Sequence, residues 1–225
     1  IFVDKHFMSS VLERFNKIQA DIFKQSANPK ESAKIIAVSK TFPIDHIRPL
    51  IQHGHIHFGE NKVQETEKKW KDLKNENINL KLHMLGKLQT NKAKKAVSIF
   101  DYIHSVDNKK LADILKKSEM EIGKNLSYFM QVNFADEKQK SGLPVSDALS
   151  FYKYCKNEIN LNIVGIMCFP PFGIDPVKFF KEAFELNKKL GLSELSMGMS
   201  NDYFKAIKHG STFVRIGSAI FGERE

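Results

Sequence analysis

Three short stretches of this 225-residue chain place reactive side chains where a buried run stops. In "IIAVSKTFP" (35–43) Lys40 follows an apolar run, in "SMGMSND" (196–202) Ser196, Met199 and Ser200 cluster, and in "RIGSAIFG" (215–222) Arg215 precedes Gly217 and Ser218. A lysine at the mouth of an apolar cavity is desolvated, which lowers its pKa and favours the neutral amine that condenses with an aldehyde. Serines and glycines that open helices present hydroxyls and free backbone N–H groups to an anion. Each residue has a simpler reading alone: Ser200 as the N-cap of the helix "NDYFKAIKHG", Lys40 as half of a salt bridge. Two anion-ready turns side by side shift the balance toward an aldehyde that is also a phosphate ester.

The elements that must hold these residues are legible from periodicity. Short β-rich runs recur at 34–39, 55–59, 80–86, 100–106, 126–133, 162–169, 194–198 and 212–217, which predicts eight strands. Between them lie helical patterns, among them 43–54, 109–123, 144–155 and 176–191, several opened by Pro and closed by Gly. Strict alternation implies parallel pairing through right-handed crossovers, and eight such units close most economically into a single (β/α)8 TIM barrel. An added N-terminal helix is predicted over about 5–26, with Phe7, Val11, Leu12, Phe15, Ile18, Ile22 and Phe23 on one face. The expectation is one domain over 1–225, with 1–33 as helix and lead-in and 34–225 as the barrel. An open doubly wound sheet is the alternative, but its G-x-G-x-x-G turn after the first strand is missing.

Barrel chemistry sits at the C-terminal ends of the strands, and phosphates recur after strands seven and eight. Lys40 follows the first strand, "FGEN" (58–61) the second, "GKLQTNK" (86–92) the third and "NFADEKQKSG" (133–142) the fifth. Ser200 and the Gly217–Ser218 pair follow the seventh and eighth. Pyridoxal 5'-phosphate (PLP) is therefore the economical ligand, although a Schiff-base aldolase acting on a sugar phosphate would use the same parts.

Composition excludes several classes. The net charge of +9 and pI near 9.4 would suit a polyanion binder if the basic residues shared one face. The lysines instead recur beside acids along amphipathic patterns, without a block of five like charges, so a solvated surface is expected and no nucleic-acid partner. Two cysteines, Cys155 and Cys168, support neither a disulfide framework nor a zinc knuckle, and a reducing cytoplasm is expected. No run approaches the ~18 apolar residues of a membrane span, and "IFVDKHFMSS" lacks the order of a signal peptide. The absent initiator Met suggests a trimmed segment.

Five motifs, "AVSKT" at Lys40, "FGENKVQE" (58–65), "HMLGKLQTNK" (83–92), "IHSVD" (103–107) and "LSMGMSND" with "GSTFVRIGSAIFGER" (195–224), resemble the pyridoxal phosphate homeostasis protein family, the YggS/PROSC group. The match runs in order from about residue 34 onward. The resemblance implies the same barrel, fold type III among PLP proteins, related to the N-terminal domain of alanine racemase. By position, Lys40 resembles the Schiff-base lysine, and Ser200, Gly217 and Ser218 the phosphate cradle, with Ser196 and Met199 lining the same loop. Arg215 resembles the arginine facing the pyridine nitrogen, and Asn61 a polar residue near the ring. The family often carries Thr at the position of Ser218 and Asp at that of Asn201.

A guanidinium only donates, so a pyridine nitrogen facing Arg215 stays unprotonated and the cofactor is a weaker electron sink. The chain also stops at "FGERE", after the eighth unit, where racemases of this fold carry a second domain. The resemblance thus implies PLP homeostasis, buffering and delivering the cofactor without an established reaction. PLP-dependent apoenzymes are the implied recipients, and a cytoplasmic monomer the implied form. A fold type III enzyme such as an amino-acid racemase is the alternative.

Other constellations are weaker. "HGHIH" spaces His53, His55 and His57 as metal ligands can be spaced, but without supporting Cys or carboxylate, and packed or surface histidines are expected. His83 and His104 read as core polar residues with hydrogen-bond partners, Cys168 as a small buried hydrophobe, and the Phe-rich "KFFKEAFEL" (178–186) as core.

Overall fold

The computed structural model describes residues 5–25, 32–76, 79–135 and 141–223. Eight parallel strands close into a barrel in the order β1 (Lys34–Val38), β2 (His57–Glu60), β3 (Lys81–Met84), β4 (Tyr102–Val106), β5 (Ser127–Asn133), β7 (Ile163–Cys168), β8 (Glu194–Met199) and β9 (Phe213–Ile216). β9 pairs back onto β1, with Lys34 opposite Phe213 and Ala37 opposite Ile216. Each predicted strand is present, shifted at its ends by one or two residues. The extra piece is β6 (Leu143–Pro144), two residues that pair with Val132 and Asn133 at the upper end of β5.

The strands are buried almost throughout; β1 is exposed only at Lys34 and β9 is wholly buried. This follows from parallel crossovers, which put helices on the outer face while the barrel interior covers the inner one. The helices are α1 (Lys5–Gln25), α2 (Ile44–Gln52), α3 (Val63–Glu76), α4 (Ala93–Ile99), α5 (Lys109–Ile122), α6 (Ala148–Lys153), α7 (Val177–Lys189), α8 (Tyr203–Lys208) and α9 (Ser218–Phe221). The predicted 144–155 helix is instead a short α6 between a 3-10 turn and a π turn over Tyr154–Glu158.

The added N-terminal helix is α1. Val11, Phe15, Ile18 and Ile22 are buried, whereas Phe23 is 53% exposed and falls off the predicted face; Phe7 lies outside the described side chains. Arg14 donates from Nε to the carbonyl of Ile220 at 2.6 Å, which ties α1 to α9. In α7, Phe179 and Phe180 are core, but Phe184 is half-exposed and covers Gly210.

Inside the barrel, Ile36, Phe129, Met167 and Phe213 form a small apolar cluster of their own. Three histidines share that interior: His83 stacks on Tyr102 at 4.3 Å, His104 on Phe129 at 4.1 Å, and His57 meets Phe213 edge-on at 5.6 Å. No helix among the described residues is long and apolar enough to cross a membrane.

Candidate functional site

A cavity of about 510 Å3 opens at the C-terminal end of the barrel. Lys40, Asn61, Met199, Ser200, Arg215, Gly217 and Ser218, which come from β1, β2, β8, β9 and the loops after them, all line it. Ser196 does not. It is fully buried, and its hydroxyl lies behind Arg215, accepting from Nη1 at 2.9 Å and meeting His104 Nδ1 at 3.0 Å. Depth along the strand is the reason, since Ser196 sits three residues below Met199, the last residue of β8, and four below Ser200 in the loop that follows.

Ser200 is also not the N-cap of the following helix. Asp202 takes that place, its Oδ1 accepting from the Met199 N–H at 2.6 Å. The Ser200 hydroxyl instead accepts from the backbone N–H of Ala219 at 3.3 Å, at the head of α9. The turns after β8 and β9 are thereby joined. The first N–H groups of any helix lack intrahelical acceptors, so this junction gathers hydroxyls and amide donors at one edge of the cavity.

Gly198 makes the junction sterically feasible. Its φ is +89°, and a Cβ there would stand 2.5 Å from the Cβ of Ala206. On the far wall, a Cβ on Gly86 would come within 2.4 Å of the carbonyl oxygen of Asn61. Glycine at 86 therefore lets the loop after β3 close against the backbone that presents Asn61.

Lys40 stands in a tightly held loop. Thr41 has a φ of +70°, the left-handed region that a β-branched residue avoids. On either side, Lys69 donates from Nζ to the carbonyls of Ser39 at 2.7 Å and Phe42 at 3.2 Å. Lys69 is itself paired at 2.6 Å with the buried carboxylate of Glu60, which also accepts from Ser39 Oγ at 2.7 Å and Trp70 Nε1 at 2.9 Å. One buried ion pair thus staples α3 to the loop that carries Lys40. By sequence Lys69 belongs to the amphipathic lysine pattern of a solvated surface; its one signal is a position where α3 turns inward, beside the fully buried Trp70.

Arg215 is buried, donating from Nη1 to Ser196 and from Nη2 to the carbonyl of Cys168 at 3.0 Å. Burial lowers its pKa to about 10, so it remains a cation at neutral pH. Cys168 itself is buried and does not line the cavity, and burial pushes its thiol up to about 12. The lining also includes residues not singled out in the sequence: Lys87, Gln131 and Ser141 as polar groups, and Val38, Phe42, Leu85, Met167 and Phe169 as apolar walls. Residues 136–140 of the predicted fifth loop lie outside the described residues.

Elsewhere, Lys94 pairs with Glu121 at 2.6 Å and Lys95 with Glu67, as expected of a solvated basic surface. Among the described residues no cluster of three or more His, Cys, Asp or Glu could hold a metal. His55 donates instead from Nε2 to the carbonyl of His57 at 2.8 Å.

Comparison with known proteins agrees with this geometry. The model of the alanine racemase N-terminal domain matches residues 17–225. A pyridoxal phosphate homeostasis protein of Pasteurella multocida is 37% identical over 213 residues, covering 90% of this chain and 91% of that protein. The chain belongs to the pyridoxal phosphate homeostasis protein family. Its human member is 37% identical over 216 residues, spanning 88% of this chain and 78% of that protein. The family's PipY structure from Synechococcus elongatus, solved with PLP bound, superposes with a TM-score of 0.85 at 34% identity, over 94% of this chain and all of that one. An alanine racemase of Clostridium difficile shares the fold alone, with a TM-score of 0.75 at 12% identity over 96% of this chain and 57% of that one.

The lining suits a small phosphorylated aldehyde. Lys40, Lys87 and Arg215 are its ionisable groups among the described residues, and all are basic side chains; hydroxyls gather at one edge and apolar side chains form the walls. A volume of about 510 Å3 lies within the usual range of small-ligand sites.

Proposed function

We propose that this chain binds PLP in the barrel-mouth cavity and serves its homeostasis, holding the cofactor for transfer. The observation that carries the reading is the convergence of Lys40, Arg215, Ser200 and Ser218 on one cavity, in a family with a PLP-bound member. In this reading Ser200, Gly217 and Ser218 receive the phosphate, Lys40 forms the Schiff base, and Asn61 and Met199 flank the ring. Arg215 faces the pyridine nitrogen, and Ser196 acts behind it.

When bound, the cofactor supplies an aldehyde for reversible attachment to an amine. The chain's own groups favour retention. Arg215 keeps its protons at neutral pH and offers only donors, so a ring nitrogen facing it accepts a hydrogen bond and stays unprotonated, which disfavours carbanion chemistry. The Glu60–Lys69 staple holds the backbone beside Lys40 in place. The working form is a cytoplasmic monomer that passes PLP to PLP-dependent apoenzymes, and residues 34–225 act as one binding unit.

Titration of the purified chain with PLP should give a yellow species, lost in Lys40→Ala. The racemase-type barrel keeps a second reading in view, an amino-acid racemase using Lys40 as a base. Deuterium wash-in at the α-carbon of L-amino acids separates the two: exchange at enzyme-like rates would replace the holding function with catalysis.

A further inference from the structure

Behind Arg215, the barrel interior contains an unbroken line of polar side chains that do not line the cavity. Arg215 Nη1 donates to Ser196 Oγ at 2.9 Å, and Ser196 Oγ meets His104 Nδ1 at 3.0 Å. His104 Nε2 meets His83 Nδ1 at 2.9 Å, and His83 Nε2 meets His57 Nδ1 at 2.9 Å. The line starts beneath the cavity and ends at His57 near the N-terminal end of β2, where the residue regains partial exposure.

Its polarity is dictated from the top. A guanidinium has no acceptor, so Ser196 Oγ must accept from Arg215. Among the described residues the other partner of the Ser196 hydroxyl is His104 Nδ1, so the hydroxyl donates there. A neutral imidazole has one donor and one acceptor nitrogen. His104 then carries its proton on Nε2 and donates to His83 Nδ1; His83 does the same to His57 Nδ1, leaving the His57 Nε2–H facing outward. The opposite order would leave the Ser196 proton buried without an acceptor, a costly state.

We propose that Ser196, His104, His83 and His57 form one hydrogen-bond chain of fixed polarity that orients Arg215 and spreads its buried charge toward the barrel floor. Each ring-nitrogen lone pair points to the next group up the chain, so the imidazole dipoles align with their negative ends toward the cation. The chain is insulated rather than conducting, because a proton arriving at the floor meets an N–H and one arriving from above meets Arg215. Its surroundings keep it neutral. His57 is faced by Lys34 of β1, Lys81 of β3, Glu194 of β8, Asp101 before β4, Tyr102 of β4 and His55; His83 by His55, His57, His104, Lys34 and Tyr102; His104 by Arg215, His57, His83 and Tyr102. Burial with these mostly basic neighbours holds all three well below an ordinary histidine. The four are positioning residues, and their service to a ring nitrogen rests on the PLP reading above.

Two measurements test it. In the unliganded full chain labelled with 15N-histidine, long-range 15N–1H correlation spectra at neutral pH should show His57, His83 and His104 neutral and protonated on Nε2. His83→Phe should leave His104 protonated on Nε2, since Ser196 still donates to its Nδ1. Finding His83 or His104 protonated on Nδ1 or as imidazolium in the parent chain, or His104 switched to Nδ1–H in the variant, would overturn the chain. In the PLP-loaded protein, Ser196→Ala should raise the Kd on the order of tenfold, the equivalent of one charge-assisted hydrogen bond. It should also shift the 15N signal of the labelled pyridine nitrogen while Lys40 stays attached. A Kd within twofold and an unmoved signal would remove the link to Arg215. Failure of the parent chain to bind PLP sinks the cofactor reading instead, with the chain's order still decided by the unliganded spectra.

Discussion

Replacing Lys69 by Met removes the cation of the staple beneath the Lys40 loop while keeping much of its apolar length. Glu60 then retains only the neutral donors Ser39 Oγ and Trp70 Nε1, and its side chain is just 2% exposed. Breaking a buried pair from one side costs about 3–5 kcal/mol, because a charge is left uncompensated. Lys69 is 14% exposed, so water tempers the loss toward ~3 kcal/mol. That is a large part of the 5–15 kcal/mol typical of a whole domain. The same change frees the carbonyls of Ser39 and Phe42, and Thr41 at φ +70° stores about 1–3 kcal/mol of strain that the loop can then release. Urea unfolding followed by the fluorescence of Trp70, the single tryptophan, should show a midpoint lower by on the order of 1 M or more. Adding Glu60→Gln should recover much of the loss, since the orphaned charge disappears. A loss below about 1 kcal/mol, or no recovery in the double variant, would refute the view that this pair holds the loop.

Gly86→Ala would put a Cβ within 2.4 Å of the Asn61 carbonyl, and backbone on both sides leaves little room to yield, so a loss of about 1–3 kcal/mol is expected in the same assay. Full stability in that variant would contradict the close approach of the two loops. Acid should unfold the protein early. His55 and His57 are held at about 4, and His83 and His104 well below 6.5, in each case chiefly by burial. A histidine with a depressed folded pKa takes up its proton first in the unfolded chain, so its contribution is complete above about 6.5 and is lost as pH falls toward the folded value. Each such group contributes a slope of up to about 1.4 kcal/mol per pH unit. Unfolding free energies measured from pH 6.5 to 5 should therefore drop by more than ~2 kcal/mol, and His57→Phe should flatten the curve. A flat profile would mean the histidines are not buried neutral.

The sequence carries the barrel because its strands alternate cleanly with helices whose ends are marked by Pro and Gly, and local pattern here agrees with the global fold. Lys40, Ser200, Arg215 and Ser218 were legible for a related reason: strand ends are where side chains of this fold converge, whatever the intervening distance in sequence. Ser196 shows the limit of that logic, because three residues along β8 separate supporting the cavity from lining it at Met199. Lys69 was hidden because a charged residue in an amphipathic pattern reads as solvated until its partner, here Glu60 on a strand, is placed beside it. The histidines at 57, 83 and 104 are 26 and 21 residues apart, and only the parallel register, which sets His57 opposite Lys81 and His83 opposite Tyr102, turns them into neighbours.

Borohydride reduction of the PLP-loaded chain, followed by peptide mass mapping, tests the central claim most directly. The account predicts the pyridoxyl phosphate mass on the peptide that contains Lys40 and its loss in Lys40→Ala. The mass on another lysine, Lys87 of the same cavity included, would contradict it.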